Sequence, residues 1–128
     1  MTDSLVEAAR AVQQLAYAPY SHFRVGAAVE ADDGSVFVGC NVENASYGLT
    51  ICAERAAVVA AVGAGARRIR RAVVVSDTDP PAAPCGACRQ VLSEFGPDMT
   101  VEAVGPARIS RWSLRELLPA AFGPEQLA

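Results

Sequence analysis

The run Ala72-Val73-Val74-Val75 constrains the fold more than any other stretch of this chain. It is apolar without interruption and is bounded by Arg70, Arg71 and Asp77. A half-exposed strand alternates apolar and polar residues, whereas a continuous β-branched run requires cover on both faces. The cover has to come from the flanking segments, several of which have helical periodicity. Leu5, Ala8, Ala9, Val12, Leu15 and Ala16 recur at helical spacing over residues 3–17. Asp3 or Ser4 is placed to cap that helix, which should stop before Pro19. Phe23 to Glu30 reads as a strand, Asp33-Gly34 as a hairpin turn, and Ser35 to Cys40 as its antiparallel return. A second helix is expected from Thr50 to about Val62, with Gly63 and Gly65 as stops. Beyond Arg55 it is alanine and valine, with almost no polar face. A helix apolar all round is expected to be buried all round, at the centre of the fold or in a subunit contact.

A third helix should run from Cys85 to about Phe95 and end at Gly96-Pro97. Thr100–Val104 reads as a strand and Ala107–Trp112 as a final one, left open by the short segment around Gly105-Pro106-Ala107. Ser113 with Glu116 three residues on forms a capping box for a last helical turn, and Pro119 stops it. This order predicts a three-layer α/β/α fold with a mixed central sheet of about five strands, in one domain over residues 1–128.

Eleven basic residues, all arginine, against fourteen acidic ones leave a formal charge of −3. That balance gives no electrostatic case for nucleic-acid or membrane binding, and Arg67-Arg68-x-Arg70-Arg71 reads as a solvated basic run. No apolar run approaches the roughly 20 residues of a membrane span. Met-Thr-Asp-Ser-Leu-Val-Glu at the start lacks a basic stretch followed by an apolar one, so the expected compartment is the cytoplasm. Thiols stay reduced there, and clustered cysteines point to metal ligation or redox chemistry before disulfides.

Three of the four cysteines fall in two short motifs, Cys52-Ala53-Glu54-Arg55 and Pro84-Cys85-Gly86-Ala87-Cys88-Arg89. Both sit at expected helix N-termini, where the helix dipole favours the thiolate that binds zinc. Cys52, Cys85 and Cys88 as the ligands of one zinc leave the fourth tetrahedral position open, the mark of a catalytic site. With Cys40 as a fourth ligand the centre would be structural. Without metal, Cys85 and Cys88 would be a redox dithiol. His22 reads as an exposed or satisfied polar residue. Arg55, three residues after Cys52, and Arg89 are available to balance the thiolates. Glu54 reads as a proton carrier beside a metal-activated water.

These residues resemble the signature of zinc-dependent nucleoside and nucleobase deaminases, given in general form as H-x-E…P-C-x-x-C with a three-cysteine variant. The likeness extends over Ala18-Pro19-Tyr20-Ser21-x-Phe23-x-Val25-Gly26-Ala27-Ala28, Gly39-Cys40-Asn41-Val42-Glu43-Asn44-Ala45-Ser46-Tyr47 and Glu116-Leu117-Leu118-Pro119-x-x-Phe122. Taken together they are similar to the short, homotetrameric cytidine deaminases. The resemblance implies one zinc per subunit and hydrolysis of cytidine and 2′-deoxycytidine to uridine and 2′-deoxyuridine, with ammonia released, in pyrimidine salvage. It implies that zinc-activated water attacks C4 of the base while Glu54 moves the protons. It assigns Asn41 and Glu43 to the ribose hydroxyls, the Ala53 N–H to the base carbonyl, and Phe23 to the base. Phe122 would come from a neighbouring subunit, and Tyr47 would hydrogen-bond across the interface. A modified or antibiotic cytosine nucleoside is the alternative substrate.

Overall fold

The computed structural model describes residues 3–127; Met1, Thr2 and Ala128 lie outside it. In chain order the elements are α1 (Ser4–Gln13), β1 (Gly26–Ala31), β2 (Val36–Cys40), α2 (Ala53–Gly63), β3 (Ile69–Val75), α3 (Gly86–Phe95), β4 (Thr100–Val104), β5 (Ile109–Ser113) and α4 (Leu114–Leu117), with short 3₁₀ turns at 47–49 and 124–127. The strands form one sheet in the order β2-β1-β3-β4-β5, parallel between β3 and β4 and antiparallel elsewhere.

The valine run lies on the central strand, and each of its faces has its own cover. Val73 and Val75 pack with Leu5, Val6 and Ala9 of α1. Ala72 and Val74 pack on the opposite side with Ala57, Val58, Ala61 and Leu92 of α2 and α3. Burial of both faces over residues 72–75 leaves no position in the run where a polar side chain would be solvated, which accounts for the continuous pattern. Helix α3 makes the crossover that a parallel β3–β4 pair requires. The three layers and the mixed five-strand sheet are as the sequence predicts.

Boundaries shift where side chains take over backbone pairing. The Asp3 carboxylate caps α1 by accepting from Leu5 N at 3.0 Å. The helix stops at Gln13, short of the expected residue 17. The Gln13 amide is buried and donates to Arg24 O and Asp77 Oδ1, both at 3.2 Å. The chain then turns so that Tyr17 bridges Val42. Strand β1 begins at Gly26, not Phe23, because Val25 N–H is taken by the Asn41 side chain at 2.9 Å. Gly26 itself lies under α1: a Cβ there would stand 2.0 Å from Ala9 O.

Helix α2 is not covered all round within the single chain: Ala57, Val58 and Ala61 face the sheet, while Val59 is 70 % exposed and Ala60 is open on the outer side, which leaves the expected subunit contact as the remaining cover. An apolar composition without a polar face fixes no orientation, and in a single chain the sheet can cover only one side. The basic run is not uniformly solvated either. Arg67 and Arg68 are exposed, but Arg71 pairs with the buried Glu102 at 2.6 Å and with Asp3, and Arg70 pairs with Glu30 at 3.0 Å. The last strand, left open by the sequence, is present at Ile109–Ser113, and the Ser113–Glu116 capping box closes α4 as expected.

Candidate metal centre

Backbone bridges bring the motifs together. Tyr17 N donates to Asn41 O at 3.0 Å, Glu43 N donates to Tyr17 O at 2.9 Å, and Val42 and Ile51 exchange both bonds at 2.9 Å. Residues 41–43 are thus held between the end of the α1 loop and the segment leading into α2. Because Ile51 is occupied in this pairing, α2 starts at Ala53, three residues later than the expected Thr50. Its N-cap is Cys52, whose side chain makes no capping bond. Cys85 is the N-cap of α3 and likewise leaves its cap unmade. Each thiol is therefore free at a helix start, and the first-turn N–H groups of α2, including that of Ala53, have no partner within the helix.

The sulfurs of Cys52, Cys85 and Cys88 all lie within 4.8 Å of one another. Cys85 and Cys88 bracket the first turn of α3 with their sulfurs 3.6 Å apart. Three thiolates on one zinc at about 2.3 Å each stand roughly 3.8 Å apart, so the trio has the right spread. Cys40 and His22 are outside this group. Electrostatics fits as well. The Cys52 thiol is lowered to about 5, first by the hydrogen bond from Cys88 and then by the Arg55 guanidinium. Cys88 is pushed the other way because its S–H is held by Cys52 and because it is buried. The trio alone therefore carries less than three negative charges, and a divalent cation is what allows all three to ionise.

Arg55 Nη2 approaches Cys52 Sγ at 3.5 Å and Thr50 O at 3.4 Å. Arg89 is bonded elsewhere. Its Nε donates to Pro84 O at 2.7 Å and its Nη1 to Leu117 O at 2.9 Å, tying the turn before Cys85 to the end of α4.

Glu54 follows at the second position of α2, 6 % exposed, and burial raises its carboxyl above the usual range. It lines a cavity of about 230 Å³ with Cys52, Ala53, Cys85, Phe23, Asn41 and Glu43. Asn41 is already committed: its Oδ1 accepts from Val25 N at 2.9 Å and its Nδ2 donates to Phe23 O at 2.7 Å. Phe122 is 57 % exposed and absent from the lining; its carbonyl accepts from Gln90 Nε2 at 3.0 Å. Tyr47 is exposed and stacks edge-on to Tyr20 with ring centroids 6.0 Å apart. The sequence reading missed Thr50, Val25, Val74, Ala82 and Ala83 as lining residues. Only the small side chains of Ala82-Ala83 beside Pro84 hinted at a close approach.

Comparison with known proteins agrees with this geometry. Residues 1–103 match the family described as the cytidine and deoxycytidylate deaminase zinc-binding region. The chain is similar to the cytidine deaminase of Sporosarcina psychrophila, with 43 % identity over 98 % of this chain and 94 % of that one. It is similar to the cytidine deaminase of Halalkalibacterium halodurans, with 47 % identity over 96 % and 95 % of the two chains. The crystal structure of cytidine deaminase from Burkholderia pseudomallei superposes with a TM-score of 0.90 and 51 % identity, covering 95 % of this chain and all of that one.

Proposed function

The chain belongs to the cytidine and deoxycytidylate deaminase family, and from that premise we propose that it hydrolyses cytidine and 2′-deoxycytidine to uridine and 2′-deoxyuridine with release of ammonia. This is an enzyme of pyrimidine salvage whose cofactor is zinc. The observation that carries the reading is a buried carboxyl, Glu54, on the wall of one cavity with Cys52 and Cys85, two members of a three-thiol cluster.

Cys52, Cys85 and Cys88 would hold the ion. When bound, zinc supplies a water acidified to near neutral pH. Glu54 removes a proton from the water that attacks C4 and delivers it to ring N3. It then takes the remaining proton of the hydroxyl at C4 and passes it to the amino group as the C4–N bond breaks, so ammonia leaves and the carbonyl of uridine forms. Burial raises the Glu54 carboxyl above the ordinary value, the direction that favours a group able to give a proton as well as take one. The N–H of Ala53, which has no partner within the helix, would donate to the base carbonyl. Phe23 closes the cavity over the base. Asn41 shapes the sugar side through its bonds to residues 23 and 25, with one N–H and one lone pair left for a hydroxyl. Glu43 accepts the other hydroxyl, and Arg55 steadies the charge on Cys52.

The same reading takes the 128 residues as one catalytic domain that works in the cytoplasm as a homotetramer with shared sites. Support for assembly comes from apolar side chains left open in the single chain: Tyr47, Leu49, Ile51 and Val59. The exposed Phe122 would enter a neighbour's cavity. No nucleic acid or membrane is part of this reading. Among the described residues no helix is long and apolar enough to cross a membrane.

Adding zinc-loaded protein to cytidine should abolish the cytidine absorbance band and release one ammonia per nucleoside. No change with either cytidine or deoxycytidine refutes the proposal, and turnover confined to a modified cytosine nucleoside reassigns the substrate. Sedimentation tests the tetramer.

A further inference from the structure

We propose that Ser21 is a positioning residue that aims the Glu43 carboxylate at the sugar and thereby sets selectivity for a hydroxylated ribose; this rests on the role given to Glu43 above. Glu43 lines the metal-side cavity and also the neighbouring shelf formed by Tyr20, Ser21, Asn44, Tyr47 and Thr50. Ser21 lines only the shelf and meets the cavity wall through Glu43 and the backbone of Phe23; Phe23 faces the base, which the nucleosides compared below share, so discrimination by the sugar runs through Glu43.

A carboxylate offers about four lone-pair sites, two per oxygen. Glu43 Oε1 accepts from Tyr20 N at 3.0 Å and from Ser21 N at 3.1 Å, which fills it. Oε2 accepts from the Ser21 hydroxyl and keeps one free lone pair. That lone pair is what remains for a ligand hydroxyl, and the Ser21 hydroxyl fixes its direction. The serine is itself fixed, because its Oγ accepts from Phe23 N at 3.0 Å. Between them His22 is held at φ 60°, a left-handed conformation unfavourable for a residue with a side chain. The strained turn, the hydroxyl and the carboxylate form one unit. The Ser21 hydrogen bond is also the largest influence holding the Glu43 carboxyl below its ordinary value. Glu43 thus stays an ionised, acceptor-only group, which suits a donor hydroxyl and excludes a sugar lacking one.

The test compares cytidine with 2′,3′-dideoxycytidine, whose sugar has no ring hydroxyl to offer. In Ser21→Ala the ratio of kcat/KM for cytidine over dideoxycytidine should fall about tenfold, the size expected for one hydrogen bond to a charged group. The loss should lie in KM, with zinc stoichiometry unchanged. Ser21→Thr should restore the ratio, and in a Glu43→Ala background removing the hydroxyl should leave it where it is. An unchanged ratio in Ser21→Ala, or no restoration by threonine, overturns the proposal; any general loosening of the loop affects both nucleosides alike and cancels. Absence of cytidine turnover in the parent protein would instead defeat the assigned activity.

Discussion

Replacing Gly39 by alanine tests how the sheet sets the metal centre. Gly39 sits on β2 opposite Ala27, directly beneath the first turn of α2. An added Cβ would stand 2.4 Å from Ala57 N and 2.7 Å from Ala53 O. Optimal contact is about 3.5–4.0 Å, so the helix must move back by roughly 1 Å. The obstructing atoms are backbone and the Cβ of Ala56, also at 2.7 Å, and Ala57 is fully buried, so no rotamer change relieves the clash. Overpacking of this kind costs about 1–3 kcal/mol. For a chain of this length that corresponds to a fall in Tm of roughly 4–12 °C. The same first turn carries Cys52, Ala53 and Glu54, and a shift of about 1 Å exceeds the tolerance of about 0.2 Å in metal–ligand distance. Zinc affinity should therefore drop by about 10–100-fold, as when the support of a ligand is removed. Thermal unfolding of the zinc-loaded protein and competition with a chromophoric chelator measure the two effects. Gly63→Ala, at the far end of the same helix, meets nothing within 4 Å and serves as the control. If Gly39→Ala matches the control in both Tm and zinc affinity, the packing argument is wrong.

Glu54→Gln should retain a full complement of zinc and lose about 10²–10⁴-fold in kcat, the range for a general acid–base group; full activity would remove Glu54 from proton transfer. Cys88→Ser should lose the metal, whereas Cys40→Ser, outside the sulfur cluster, should keep it; metal analysis of the purified proteins decides both. The Asp3 carboxyl is held below 3.8, first by the hydrogen bond from Arg71 and also by the cap to Leu5. A lowered carboxyl adds stability that is present above its ordinary pKa and disappears as pH falls through and below it. Asp3→Asn should therefore flatten the decline in stability below about pH 4, and an unchanged acid profile would show that the pair contributes nothing.

Much of this was legible from local pattern. The continuous run at 72–75 determined a doubly covered strand, because no solvated face could carry those residues. Two cysteine motifs at helix starts marked Cys52, Cys85 and Cys88 as candidate zinc ligands with Glu54 near them, because thiol spacing within one turn and a cap position are local geometry; that Cys52 meets the other two is decided by the fold. Asp33-Gly34 and the Ser113–Glu116 box specified their turn and cap for the same reason.

What the tertiary structure alone decided is how each polar group is spent. Asn41 and Arg89 both look free in the sequence, yet Asn41 is bonded to residues 23 and 25 and Arg89 to Pro84 and Leu117. Helix α1 ended early because Gln13 found partners at Arg24 and Asp77, far along the chain. The outer face of α2 stayed open because the sheet covers one side only, and Ser21 emerged as the partner of Glu43 through contacts across 22 residues. Residue type and short spacing encode secondary structure and chelation. The choice among competing hydrogen-bond partners depends on which groups the folded chain brings within about 3 Å, and no local pattern contains that.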